Sequence, residues 1–175
     1  WSSDVCSSDL LKSVDEDFLD EIEQKREVLA KALKKNNEDL GSEELTEATQ
    51  KIIDRLVFIR FLEDKLIEQE HYVDKFGEKG KAWDAFIGLC RKLDAKYNGI
   101  VFKRSAIDDD RFKGPVDTEF HAVCQDLCHL NSRFLFNYIP IHILGSVYER
   151  FLGKVVHATD HRVKIEEKPE VRKAG

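Results

Sequence analysis

Residues 42–70, SEELTEATQKIIDRLVFIRFLEDKLIEQE, decide the fold class. Leu45, Ala48, Ile52, Leu56, Ile59 and Leu66 recur at helical intervals, which puts them on one side of an α-helix. Ile53, Val57 and Phe61 widen that side, and so broad a stripe suits a central helix packed by several neighbours. Ser42 is its expected cap. Inside the stripe, Arg60, Glu63 and Asp64 put a cation and two carboxylates within a turn of one another. Spacings of three and four residues bring Arg60 to both acids, so a helix salt-bridge cluster is expected rather than a carboxylate site.

Upstream, SVDEDFLDEIEQKREVLAKALKK (13–35) carries Phe18, Leu19, Ile22, Leu29 and Leu33 at the same spacing. Ser13 and Glu16 form a capping-box pair that predicts a helix start at Ser13, and Asn36, Asn37 and Gly41 predict its end. Downstream, HYVDKFGEKGK (71–81) reads as a connector, and a third helix is expected from near Lys81, with Trp83, Phe86, Ile87, Cys90, Leu93 and Tyr97 inward. Asn98-Gly99 offers a left-handed stop. GIVFK (99–103) reads as a short strand, and SAIDDDRFKGPVD (105–117) as a solvated polar loop. Its acids Asp108, Asp109 and Asp110 lack the alternating ligands, glycine and closing glutamate of a calcium loop. A last helix is expected in FNYIPIHILGSVYERFLGKVV (136–156), where Pro140 suits a first turn and Ile143, Leu144, Val147, Tyr148, Phe151 and Leu152 line one side.

The fold expected is therefore mainly α, an irregular bundle of about five helices with room for one short strand pair. At 175 residues, 42% apolar and 35% charged, the chain is sized for one helix-rich domain. Its formal charge of −6 argues against a module that binds nucleic acid by bulk charge. With no apolar run of membrane-spanning length, a cytoplasmic location and no membrane partner are expected.

Sites of chemistry are sparse. In FHAVCQDLCHL (120–130), His121, Cys124 and Cys128 fall on one helical face, as metal ligands might be arranged, with His129 just beyond. Phe120, Val123, Cys124, Leu127 and Leu130 form that helix's apolar stripe, however, and free cysteine commonly packs as a small hydrophobe. Core is expected, and a metal-binding protein is the least favoured alternative. His157, Asp160 and His161 have no nucleophile with the partners a hydrolase needs. No phosphate-cradling glycine-rich loop is present.

Three stretches carry a resemblance: LKSVDEDFLDEIEQKREVLAKALKKN (11–36), LTEATQKIIDRLVFIRFLEDKLIE (45–68), and FNYIPIHILGSVYERFLG (136–153) followed by KPEVRKAG (168–175). Together they resemble the helical region that precedes the catalytic domain of large adenine-specific DNA methyltransferases, among them the Type IIG restriction enzymes. The resemblance implies that KPEVRKAG leads toward a tyrosine-threonine-proline motif for S-adenosylmethionine, and that the adenine-holding Asn/Asp-Pro-Pro-Tyr/Phe loop lies further on. It implies a fragment with no catalytic, cofactor-binding or metal residue of its own, and S-adenosylmethionine as the parent protein's cofactor. DNA is the implied partner through the parent. The fragment would pack on the methyltransferase domain and on any upstream nuclease domain. Lys164, Lys168, Arg172 and Lys173 are the candidates for DNA-backbone contact, amid Glu166, Glu167 and Glu170.

Residues 1–10, WSSDVCSSDL, resemble an in-frame translation of a sequencing adapter and are expected to be non-native and unfolded, with Cys6 irrelevant to redox chemistry. The expected division is then leader 1–10, helical connector 11–153, and linker 154–175. The alternative from a different class is a self-contained helical protein-interaction module without catalysis.

Overall fold

The computed structural model describes residues 3–76, 80–97, 99–131, 154–158 and 162–167, with side chains for 16–76, 80–97, 99–131 and 162–166. Four α-helices, α1 (Ser3–Asn36), α2 (Ser42–Asp64), α3 (Ala82–Tyr97) and α4 (Asp117–Leu127), make the described fold mainly α. Short 3-10 turns occupy Val73–Lys75 and Ala106–Asp108. Strands β1 (Lys154–Ala158) and β2 (Val163–Glu167) form an antiparallel hairpin in the register Lys154↔Glu167 to Ala158↔Val163. The fifth helix expected in 136–156 falls mostly outside the described residues.

The broad stripe of α2 has the consequence its width implies. Twelve of its 23 residues are buried, and α1, α4 and β1 all pack against it. Phe18, Ile22, Leu29 and Leu33 of α1 meet Leu45, Ile52, Ile53, Leu56 and Ile59 of α2 in one core. The far side of that core is aromatic: Phe86 of α3 lies 5.4 Å from Phe120 of α4 and 5.8 Å from Phe76. Trp83 packs 5.4 Å from Phe120 and directly over Gly114, where an added Cβ would stand 2.4 Å from the indole. Only glycine fits there.

Helix ends depart from expectation in instructive ways. α1 is helical from Ser3, so the opening residues expected to be unfolded are helix, and Ser13 lies within the helix rather than capping it. Residues 3–12 hold neither glycine nor proline, so nothing local interrupts the helix upstream of Ser13. α2 is capped by Gly41, not Ser42: Gly41 is extended, and its N–H donates to the Glu44 carboxylate at 3.3 Å. α2 stops at Asp64 because Leu66 turns left-handed, at φ +58°. The amides of Ile67 and Glu68 then fold back onto the carbonyl of Leu62 at 3.1 and 3.2 Å. After α3, Gly99 is not left-handed, and Asn98 lies outside the described residues.

Two larger corrections concern the loops. GIVFK is a turn, because its carbonyls are claimed by arginines instead of a partner strand. Arg55 donates to Val101 O at 3.2 Å and Lys103 O at 2.9 Å, and Arg91 donates to Phe102 O. The acidic run is not wholly solvated either, since Asp108 is buried. Its carboxylate takes a bidentate pair from Arg55 at 2.8 and 2.7 Å, Arg91 at 3.1 Å, and the Ser105 N–H at 2.8 Å. The stretch from Lys154 onward, expected as a linker with no packed element, holds the hairpin instead. β1 packs on α2 and β2 on α1, with Val163 buried. VKIEE places Val163 and Ile165 at strand spacing, KVVHA supplies the β-branched pair Val155 and Val156, and pairing with each other supplies the partner that a lone strand lacks.

Removing one member of a buried ion pair strands the other without compensation. Asp108→Ala is therefore expected to lower the unfolding free energy in urea by about 3–5 kcal/mol, and Arg55→Met with Asp108→Leu to recover at least half of that loss. Burial would raise the Asp108 carboxyl, but Arg55, the Ser105 N–H and Arg91 outweigh it and hold it below the ordinary carboxylate range. The contribution of Asp108 is thus complete above about pH 4 and lost as pH falls through its lower folded value. Urea melts across that acid window should show a shallower loss for Asp108→Ala than for the wild type.

Candidate functional site

Where α1 ends beside the hairpin, a cleft of about 1030 Å³ opens between Lys31, Lys34, Lys35 and Glu27 on one side and Arg162, Val163 and Lys164 on the other, with Glu38 and Asp39 at its end. Lys164 is the one candidate DNA-contact residue with described coordinates; Lys168, Arg172 and Lys173 lie outside the described residues. It is exposed on β2, where its Cα pairs with that of His157. The side chain of His157, together with Asp160 and His161, is also outside the described residues. The α1 lysines were not among the sequence candidates. Their signal was the basic last turn, Lys34-Lys35, with Lys31 one turn before.

The cleft's lysines are partly engaged. Lys31 pairs with Glu27 at 2.7 Å, one turn back on the same helix. Lys34 donates to the carbonyls of Glu38 and Leu40 at 2.6 and 2.9 Å, contacts that leave its charge unneutralised. Lys35 reaches Glu119 only at 3.5 Å.

The other polar clusters serve the fold. Arg60 meets Glu63 at 2.9 Å and Asp64 at 2.8 Å, the salt-bridge cluster its spacing predicts. The second oxygen of Glu63 accepts the N–H groups of Tyr72 at 2.6 Å and Val73 at 2.9 Å, which shapes the chain's exit from α2. Glu68 accepts from Tyr72, Tyr97 and Lys96. Burial pushes its carboxyl up, and these three donors more than reverse that, leaving it below the usual carboxylate range. Between these clusters His71 and His129 stack at 3.7 Å, near Glu63 and Asp74. Two nearly parallel rings do not aim their nitrogens at one point, and no group of three His, Cys, Asp or Glu able to hold a metal occurs among the described residues.

α4 ends at Leu127, so Cys128 follows the helix as its extended C-cap and Leu130, expected on the apolar stripe, is exposed; the two cysteines themselves are core. Cys124 and Cys128 are buried, and His121 Nδ1 faces the Phe76 carbonyl at 3.1 Å. Cys90, Cys124 and Cys128 are free. Burial pushes the Cys90 thiol up to about 12, despite Arg55 beside it, and raises Cys124 as well, with Cys128 adding to the shift. At neutral pH both are thiols, poor nucleophiles and poor metal ligands. The titratable side chains described around the cleft are lysines, an arginine and carboxylates.

Over 171 residues, 97% of this chain, the sequence is 28% identical to the Type II restriction enzyme and methyltransferase RM.Eco57I of Escherichia coli. The chain spans 17% of that relative's length. This similarity supports a region related to restriction-modification enzymes. No family model and no solved structure matches the chain.

Burial of the thiols has a direct readout. Native protein treated with iodoacetamide at mildly alkaline pH should leave Cys90 and Cys124 unmodified by peptide mapping, and the same treatment in concentrated urea should label both. Prompt native labelling of either residue would contradict its placement in the core.

Proposed function

We propose that this chain is the helical connector of a restriction-modification enzyme, one whose adenine-specific methyl transfer from S-adenosylmethionine to DNA is carried out by another part of the polypeptide. The observation that carries this reading is the similarity to a restriction enzyme and methyltransferase along 97% of the chain. The structure is consistent with a connector's task. A rigid spacer needs a core that fixes helix against helix, and α2 is buried against α1, α4 and β1 with its internal charges paired. The buried, protonated thiols and the cationic cleft suit holding and contact better than bond-breaking.

In this reading the parent protein meets DNA in the cytoplasm, the connector holds the methyltransferase domain and any nuclease domain in fixed relation, and the basic residues Lys164, Lys168, Arg172 and Lys173 lie toward the DNA backbone. Leu66, Ile100 and Leu130 are 78%, 82% and 73% exposed, but single exposed side chains are ordinary and do not separate the connector from the competing reading of a self-contained interaction module.

Recovery of the full-length gene decides between the two. Its product should transfer labelled methyl groups to duplex DNA and yield N6-methyladenine on nucleoside analysis, whereas the 175-residue chain alone should transfer none. A stop codon directly after Gly175, or a continuation without a tyrosine-threonine-proline segment, would sink the connector reading.

A further inference from the structure

Three parts of the chain that are distant in sequence meet at the C-terminal end of α1. The hairpin brings Arg162 and Lys164 across the cleft from Lys31, Lys34 and Lys35. On the other side of the same helix end, Asn37 donates to the Lys113 carbonyl at 2.7 Å and Asn36 to the Gly114 carbonyl at 2.9 Å. Val116 N–H also reaches Ala32 O at 3.2 Å, so the 113–116 loop is seated on α1 and places Lys113 beside the lysine-rich turn.

We infer that this surface, running from the hairpin over the end of α1 to Lys113, is a track for the phosphate backbone of duplex DNA; the inference rests on the DNA-linked function proposed above. The cleft's five cations, Lys31, Lys34, Lys35, Arg162 and Lys164, outnumber its three carboxylates, Glu27, Glu38 and Asp39, and along the wider surface Lys113 adds a cation and Glu119 an acid, in a protein whose formal charge is −6. The local sign is thus opposite to the global one, which directs an anionic duplex to this face and away from the rest. A lysine at a helix C-terminus also has a purely intramolecular use, compensating the negative end of the dipole. Lys34 serves that use through its two carbonyl contacts, which also fix its ammonium at the mouth of the cleft. Lys35 is 66% exposed and is held only by a surface pair with Glu119 at 3.5 Å, and Lys164 has no ion pair among the described residues. The track has an edge. Beyond Lys164 the surface turns acidic, with Asp20, Glu23 and Glu27 lining the next groove, so a duplex would be held on the α1-end side of the hairpin.

The test takes one lysine from each element. Lys35→Glu, Lys113→Glu and Lys164→Glu combined in the 175-residue chain should weaken binding to a fluorescein-labelled duplex at least about tenfold at low salt, and flatten the log-log salt dependence by about two to three. A charge-matched control, Lys75→Glu with Lys92→Glu and Lys103→Glu, should bind like the wild type. Circular dichroism melts establish that each variant is folded; if the reversal is not, the same three positions changed to Gln should still lose affinity while the control positions changed to Gln do not. Unchanged binding by the track variant, an equal loss in the control, or no duplex binding by the wild type would overturn the inference. Methyl transfer by the unsubstituted full-length enzyme tests the connector reading by itself, apart from any track variant. An active full-length enzyme whose track variant binds undiminished would therefore reject the track and leave the connector standing.

Discussion

Arg55 sits midway along α2 with its side chain closed off from water, and its charge is met by Asp108, 53 residues further along the chain. An unpaired guanidinium in that position would cost several kcal/mol, so the pairing is a condition for α2 to be the central helix at all. Its geometry then dictates the loop after α3. Asp108 must come inward, the Ala106–Asp108 turn forms to aim it, and the remaining guanidinium hydrogens take the carbonyls of Val101 and Lys103. Arg91 closes the same network from α3 by reaching Asp108 and the carbonyl of Phe102. A segment with almost no regular secondary structure is thereby held at many points.

The same logic recurs at the end of α2. Glu63 is buried and divides its two oxygens between Arg60 and the amides of Tyr72 and Val73. One carboxylate thus neutralises a charge within the helix and sets the direction in which the chain leaves it. Buried pairs of this kind seldom add much stability over apolar residues of similar size, but each admits few alternative partners. Their effect is on which loop conformation is adopted.

Polar chemistry in this protein is therefore spent mainly on architecture, with the thiols and interior carboxylates closed to substrates. Outward-facing cations gather at the meeting of α1, the hairpin and the 113–116 loop, next to the acidic groove of Asp20, Glu23 and Glu27. A connector in a DNA-modifying enzyme would place such a surface where the duplex passes.

How much could be read without coordinates follows from the range of each interaction. The helices that run through 13–35 and 42–64, the helix near Lys81 and the apolar character of Cys124 were legible because they rest on spacings within a few turns, and so was the Arg60 cluster; the expected continuation to residue 70 with Leu66 on the seam was wrong, since α2 ends at Asp64 and Leu66 is exposed. Helix ends were less legible, since Ser13 and Ser42 satisfy the local rule for a cap but the chain continued through one and capped on Gly41 beside the other. The partner of Arg55, the turn at GIVFK, the hairpin after Lys154 and the basic surface at the end of α1 could not be read. Sequence by itself determined the helical stretches and most of their buried faces, Leu66 and Leu130 excepted, because hydrophobic periodicity is a property of neighbours along the chain. Only the tertiary structure decided which of three consecutive aspartates is interior and which lysines share a surface, because charge pairing depends on distances in space between residues far apart in sequence.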